Sequence, residues 1–207
     1  MALAAAERAA ICDAFTSVGP DRPTLCGDWT SRELLAHLLV RERQPWTAPG
    51  ILIKALEPIT ERAMRGYADT PWPEMIDMLR AGPPVWSPFW LGVVDRYANG
   101  AEFFVHHEDV RRGLPGWAPR PPERKRDGEA WAIVRRMGLA LHRASPVGVR
   151  LRSRGGQECV AKPGRGVTVV GEPGELLLQA FGRVEVEVEI EGAAADVAAF
   201  GAATRGL

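Results

Sequence analysis

Glu102, His106 and Asp109 lie four and three residues apart in the stretch AEFFVHHEDVRR (101–112). On a helix, side chains at i and i+4 converge one turn apart. An imidazole and a carboxylate presented this way form half of a site for a divalent cation. The same spacing is also met by an ordinary Glu–His hydrogen bond on a packed helix, and two ligands do not complete a metal site. A third must come from elsewhere in the chain.

The elements that position these residues follow from periodicity. Residues 89–112 contain no proline and only two glycines, Gly92 and Gly100, so one long helix is expected. With Glu102 at zero and about 100° per residue, His106 falls at about +40° and Asp109 at about −20°. Asp95 and Asn99 fall at about +20° and +60°. These five residues make a narrow polar stripe, with Leu91 within it, bordered by Val94, Ala98 and Val105 on one side and Phe103 and Val110 on the other. The opposite face, with Arg96, His107, Glu108, Arg111 and Arg112, suits water. His106 is therefore the inward histidine and His107 its exposed neighbour. An unpartnered polar group buried in the stripe would cost roughly 2–7 kcal/mol, so hydrogen bonds or an ion must compensate.

Two other histidines can supply the third ligand. His37 sits mid-helix in TSRELLAHLLVRERQ, on a stripe with Glu33, Arg41 and Gln44. That stripe reads equally as the wet edge of a helix. His142, in LALHRASP, reads as a surface or helix-end residue, where a cation suits the C-terminal dipole.

The remaining chain reads in two parts. Residues 1–18 are expected to be helical and to stop at Gly19-Pro20, and Thr30 with Glu33 forms a capping box that opens a helix to about Gln44. Residues 51–67, broken near Pro58, and PWPEMIDMLRAG supply further helices. A Pro-, Gly- and charge-rich segment, 113–128, looks like a linker. Beyond it, 129–143 looks helical, VGVRLRS, GVTVVG and VEVEVEIEG look like strands, and GEPGELLLQAFGR and AAADVAAFGA look like helices. The expected class is α+β: a helical bundle over 1–112, a linker over 113–128 and a small α+β domain over 129–207.

Composition narrows the partners. Lys+Arg and Asp+Glu balance at 26 each, which speaks against nucleic acid or an anionic membrane as partner. No run approaches the length of a membrane span, and Glu7 and Arg8 interrupt any leader-like apolar core at the N-terminus. Cys12, Cys26 and Cys159 are odd in number and lack CxxC spacing. Each reads as a small buried hydrophobe, and the reducing cytoplasm is the expected compartment.

Taken together, CGDWTSRELLAHL and NGAEFFVHHEDVRR resemble the DinB-like metal-binding bundles, in the branch of the mycothiol-dependent maleylpyruvate isomerases. Within that branch the chain looks like an actinobacterial group of metal-binding proteins. The resemblance spans nearly the whole chain. It implies an N-terminal DinB-like four-helix bundle joined to a small α+β domain. It also implies that His37, in the W-x-x-x-E-L-x-x-H motif from Trp29, joins Glu102 and His106 as a metal ligand, with Asp109 nearby in a catalytic role. Arg183, at the end of GEPGELLLQAFGR, matches an arginine that reaches the isomerase active site; a helix-end arginine satisfying carbonyls is the equal alternative.

The implied cofactor is a divalent ion: zinc as the default, with nickel, iron or manganese compatible with the same ligands. The implied cosubstrate is mycothiol or a similar low-molecular-weight thiol, activated for transfer to, or isomerisation of, an electrophilic small molecule. The alternatives are a non-catalytic metal- or ligand-binding bundle related to stress, and a metal-dependent hydrolase. The loop PWTAPGILIKALEP and the segment around Trp86 and Trp90 depart from the isomerase. Both are expected to line the pocket, so the isomerase substrate does not carry over.

Overall fold

The structure, a computed structural model, describes residues 3–47, 57–90 and 99–203. It combines eight helices with a four-stranded sheet among the described residues, an α+β composition, and divides into two compact units, Met1–Trp117 and Ala118–Leu207. None of the described helices is long and apolar enough to cross a membrane.

The first unit holds α1 (Leu3–Val18), α2 (Ser31–Arg43), α3 (Glu57–Arg65), α4 (Trp72–Arg80) and α5 (Gly100–Arg112). Gly19 ends α1 in the left-handed region, at φ 77°. The capping box at the start of α2 is present: Glu33 Oε2 accepts from the Thr30 amide at 2.6 Å and from Thr30 Oγ1 at 2.5 Å. Pro58 falls in the first turn of the described α3, where a missing amide hydrogen is harmless, and the expected helical residues 51–56 before it lie outside the described residues. The core joins Ile11 and Phe15 of α1, Leu34, Leu35, Leu38 and Leu39 of α2, Met75 and Leu79 of α4, and Phe103 and Val110 of α5.

Helix α5 departs from the sequence reading. The described helix begins at Gly100; the expected turns over 91–98, with Asp95 in them, lie outside the described residues. Most of the described part of the face assigned to water is buried, with Glu108 1% and Arg112 2% exposed and Arg111 half-buried. His107 is buried too, its Nδ1 2.8 Å from Glu7 Oε2 on α1. Glu108 accepts from Arg112 Nε at 2.6 Å and from Arg111 Nη1 at 2.8 Å, and the Arg112 guanidinium lies 4.5 Å from the Trp117 ring centroid. Periodicity marks this face as polar, but each described charge on it meets an opposite charge or a π-face, which makes burial tolerable.

In the second unit, α6 (Arg124–Leu141) starts inside the expected linker. Glu123 caps it by accepting from the amides of Lys125 and Arg126, each at 2.9 Å. The sheet has the order β2-β1-β3-β4, from β1 (Gly148–Ser153), β2 (Glu158–Lys162), β3 (Gly166–Gly171) and β4 (Val188–Glu191). β1 pairs with β2 antiparallel and with β3 parallel, and β3 pairs with β4 antiparallel. Strand β2 carries no clean alternation and was not expected. The long Val/Glu alternation pairs only over Val188–Glu191, because its partner β3 ends at Gly171, opposite Val188. Helices α7 (Pro173–Ala180) and α8 (Ala194–Ala202) complete this unit. His142 sits at the end of α6 as expected but is only 1% exposed, its Nδ1 2.9 Å from the Gly138 carbonyl and its ring stacked on Phe200.

One glycine is required by close approach. A Cβ on Gly113, just past α5, would stand 2.1 Å from the Pro23 carbonyl oxygen, whereas a Cβ on Gly128 within α6 meets nothing. Gly113→Ala is therefore expected to destabilise the first unit by about 1–3 kcal/mol. Gly128→Ala is expected to stabilise the second by about 0.5–1 kcal/mol. Denaturation midpoints of the two variants against the parent check both signs.

Candidate metal centre

Helices α2 and α5 bring His37, Glu102 and His106 together. Glu102 Oε1 lies 3.2 Å from His37 Nε2 and 3.1 Å from His106 Nε2. The two imidazole rings are 5.3 Å apart in an edge-to-face arrangement. One ligand atom from each residue lies within 4.8 Å of the other two. Two donors bound at about 2.1 Å to a tetrahedral ion stand about 3.4 Å apart, so the set closes on an ion with small side-chain movements. Two imidazoles and a carboxylate suit zinc, and other divalent transition ions as well. His37 is 6% exposed, which removes the wet-edge reading of its stripe.

A shell of polar groups fixes this trio. Asp109, fully buried, holds Oδ2 2.8 Å from His106 Nδ1. A carboxylate there directs His106 Nε2 toward an ion and strengthens it as a donor. Arg41 Nε lies 3.6 Å from Glu102 Oε1, and Arg41 also donates to the Asn99 side-chain oxygen. Asn99 in turn donates to Glu42 Oε1 at 3.1 Å, and Arg8 clasps both Glu42 oxygens at 2.6 and 2.7 Å. Asn99, on the inward stripe, thus anchors the network and stands apart from the trio.

Cys26 is the residue that sequence reasoning missed. Its thiol donates to Asp109 Oδ2 at 3.0 Å and lies 3.5 Å from His106 Nδ1. Cys26, His106 and Asp109 form a second group of possible ligands that shares His106 with the first. Nothing in the spacing of the cysteines signals this. The position depends on the loop before α2, which the Leu25 amide ties to the Asp109 carbonyl at 3.1 Å. The turn within that loop uses Gly27 at φ 60°. Cys12 behaves as expected: it is buried in the core, and burial pushes its thiol up to about 11.

The electrostatics follow from burial and pairing. Burial alone would raise the Glu102 carboxyl, but hydrogen bonds from His106 and His37 and the charge of Arg41 hold it well below the usual carboxylate range. Burial disfavours the charged form of His106, yet its contacts with Asp109, Cys26 and Glu102 outweigh this and hold it well above the usual histidine range. His37 shifts the other way: burial lowers it, against its hydrogen bond to Glu102. The two imidazoles are thus pushed in opposite directions around a single carboxylate.

Arg183 belongs to the second unit. Its amide donates to the Leu178 carbonyl at 3.1 Å and its Nη1 to the Phe181 carbonyl at 3.0 Å, the contacts of a helix-end arginine. Trp86 and Trp90, expected in a pocket wall, are each 56% exposed, and Trp86 stacks on Trp46. Of the other expected wall, residues 45–58, the structure describes the turn Pro45–Thr47 and the first residues of α3, and 48–56 lie outside the described residues. No protein-family model, curated protein or solved structure matches the chain.

Two measurements test the centre. An ion needs His106 Nε2 free of its proton, so affinity for cobalt should rise with pH through the neutral range, with about one proton released per ion. Calorimetry in two buffers of different ionisation enthalpy counts that proton. Asp109→Asn should weaken binding about 10–100-fold. Cys26→Ser should leave the cobalt spectrum free of change; a thiolate-to-cobalt charge-transfer band that vanishes in this variant would assign the ion to the Cys26 group instead.

Proposed function

We propose that the chain is a divalent-metal-dependent enzyme that activates a low-molecular-weight thiol, mycothiol or a close analogue, for transfer to or isomerisation of an electrophilic small molecule. The observation that carries this reading is the meeting of His37, Glu102 and His106 within one ligand sphere, backed by a buried aspartate on the outer nitrogen of His106. The resemblance of the same two motifs to the DinB-like four-helix bundles supports it. Zinc is the ion proposed, since the chemistry requires no change of redox state.

Three protein donors leave an ion open to a further ligand. The ion supplies one property: it lowers the proton affinity of a thiol or water that it binds. The residues supply the rest. Glu102 contributes negative charge and Arg41 balances part of it. Asp109, fully buried, holds the His106 ring in a single orientation through Nδ1, and the half-buried Cys26 thiol packs against the same side of the ring. Asp109 thereby acts through His106 as a positioning residue. Proximity of thiol and electrophile on the same centre turns their reaction into an intramolecular one. Cys12, Cys26 and Cys159 form no disulfide, and the proposal sets the reaction in the cytoplasm.

The test is direct. Cobalt-substituted protein should show a new sulfur-to-cobalt band when mycothiol or a surrogate thiol is added, and Cys26→Ser should retain that response. His37→Ala should lose at least about 1.4 kcal/mol of metal binding, tenfold in affinity. Binding of cobalt with a spectrum indifferent to thiol would leave a metal-binding protein or hydrolase and remove the thiol from the proposal.

A further inference from the structure

A cavity of about 540 Å³ opens between α2, α3 and the turn that follows α3, all within the first unit. It falls within the size range of sites that take small organic molecules. His37 belongs both to this cavity's wall and to the metal centre. Trp29, 5.3 Å from the His37 ring, continues the same wall, and Ala36, Met64, Tyr67 and Ala68 supply much of the remaining surface.

The charges around the cavity are already committed. Glu33 is engaged by the capping box of α2. Arg32 donates to the Thr70 carbonyl at 3.1 Å and lies over the Trp72 ring. Glu61 and Arg65 pair with each other at 3.5 Å on the exposed rim, with side chains 54% and 68% exposed. Two cations and two anions leave the rim without net charge. A small dianion would find no concentrated positive field, whereas an aromatic or aliphatic body would find indole, phenol and thioether surfaces.

We infer that this cavity receives the uncharged, apolar body of the electrophilic substrate, with its reactive end at the His37 side. The inference rests on the proposed metal-centred function and adds the substrate class: a neutral aryl or alkyl electrophile, not a small dicarboxylate. Apolar burial provides the affinity. The ion then needs to hold only the reactive head.

Three hydroxamates test this on full-length, cobalt-loaded protein, since their common head chelates a divalent ion. Acetohydroxamate has the head without a body, 2-naphthohydroxamate adds an apolar body, and 4-carboxybenzohydroxamate adds a charged one. The naphthyl compound should bind at least about tenfold tighter than acetohydroxamate, and the carboxylated one should gain much less. Ala68→Trp, at an exposed residue of the cavity wall, should erase the naphthyl gain while leaving acetohydroxamate within about twofold. Met64→Ala, which removes contact surface, should reduce that gain by a few fold, and the parent comparison needs no variant at all. If acetohydroxamate perturbs the cobalt spectrum but the naphthyl body adds nothing, or the carboxylated body gains as much, the cavity assignment is overturned and the metal centre stands. If no hydroxamate perturbs the spectrum, the open metal position fails and the inference fails with it.

Discussion

A single carboxylate oxygen, Glu102 Oε1, stands between the Nε2 atoms of two histidines on different helices. Around it the first unit arranges its polar interior. Such a group would be expensive to bury alone, and the cost is met by donors on several sides: His37 from α2, His106 from its own helix and Arg41 from the next turn of α2. The carboxylate therefore ties α2 to α5 through polar contacts, while Leu34, Leu38, Phe103 and Val110 belong to one shared apolar core. An ion offered to this arrangement would inherit a geometry already close to what it needs.

The same rule governs the rest of α5. Its rear face is charged and buried, and each charge there is matched within reach: His107 by Glu7, Glu108 by Arg111 and Arg112, Arg112 also by Trp117. On the inward side, Asn99, Glu42, Arg8 and Arg41 form a second chain of contacts that ends at Glu102. Buried pairs of this kind add little net stability, but breaking one leaves an uncompensated charge. The helix is thus held in one rotational setting by polar partners on both sides.

Much of this was legible in the residues. The i, i+4 spacing of Glu102 and His106 with Asp109 one turn on specifies a shared face, and the capping box at Thr30 and Glu33 fixes where α2 begins. Alternation identified β1 and β3, and the acidic first turn identified α4. What escaped depended on contacts between segments distant in the chain. Polarity on the rear of α5 suggested water because no local pattern shows that Glu7, 100 residues away, waits for His107. Cys26 looked inert because its partners lie on α5, 80 and 83 residues onward. The Val/Glu run overstated β4 because a strand's length is set by its neighbour as much as by its own sequence.

Helix α2 performs several tasks with adjacent residues. Glu33 caps it, Leu34 and Leu35 fill the core, Ala36 lines the cavity and His37 faces the centre. Hardly a position in that turn can change without disturbing another duty. The opposing wall, from Met64 to Ala68, carries fewer obligations: Arg65 and Ala68 are exposed, and Met64 and Tyr67 only edge the core. New ligand preferences would therefore arise most readily by remodelling the far bank of the cleft, with the near bank kept as immovable bedrock.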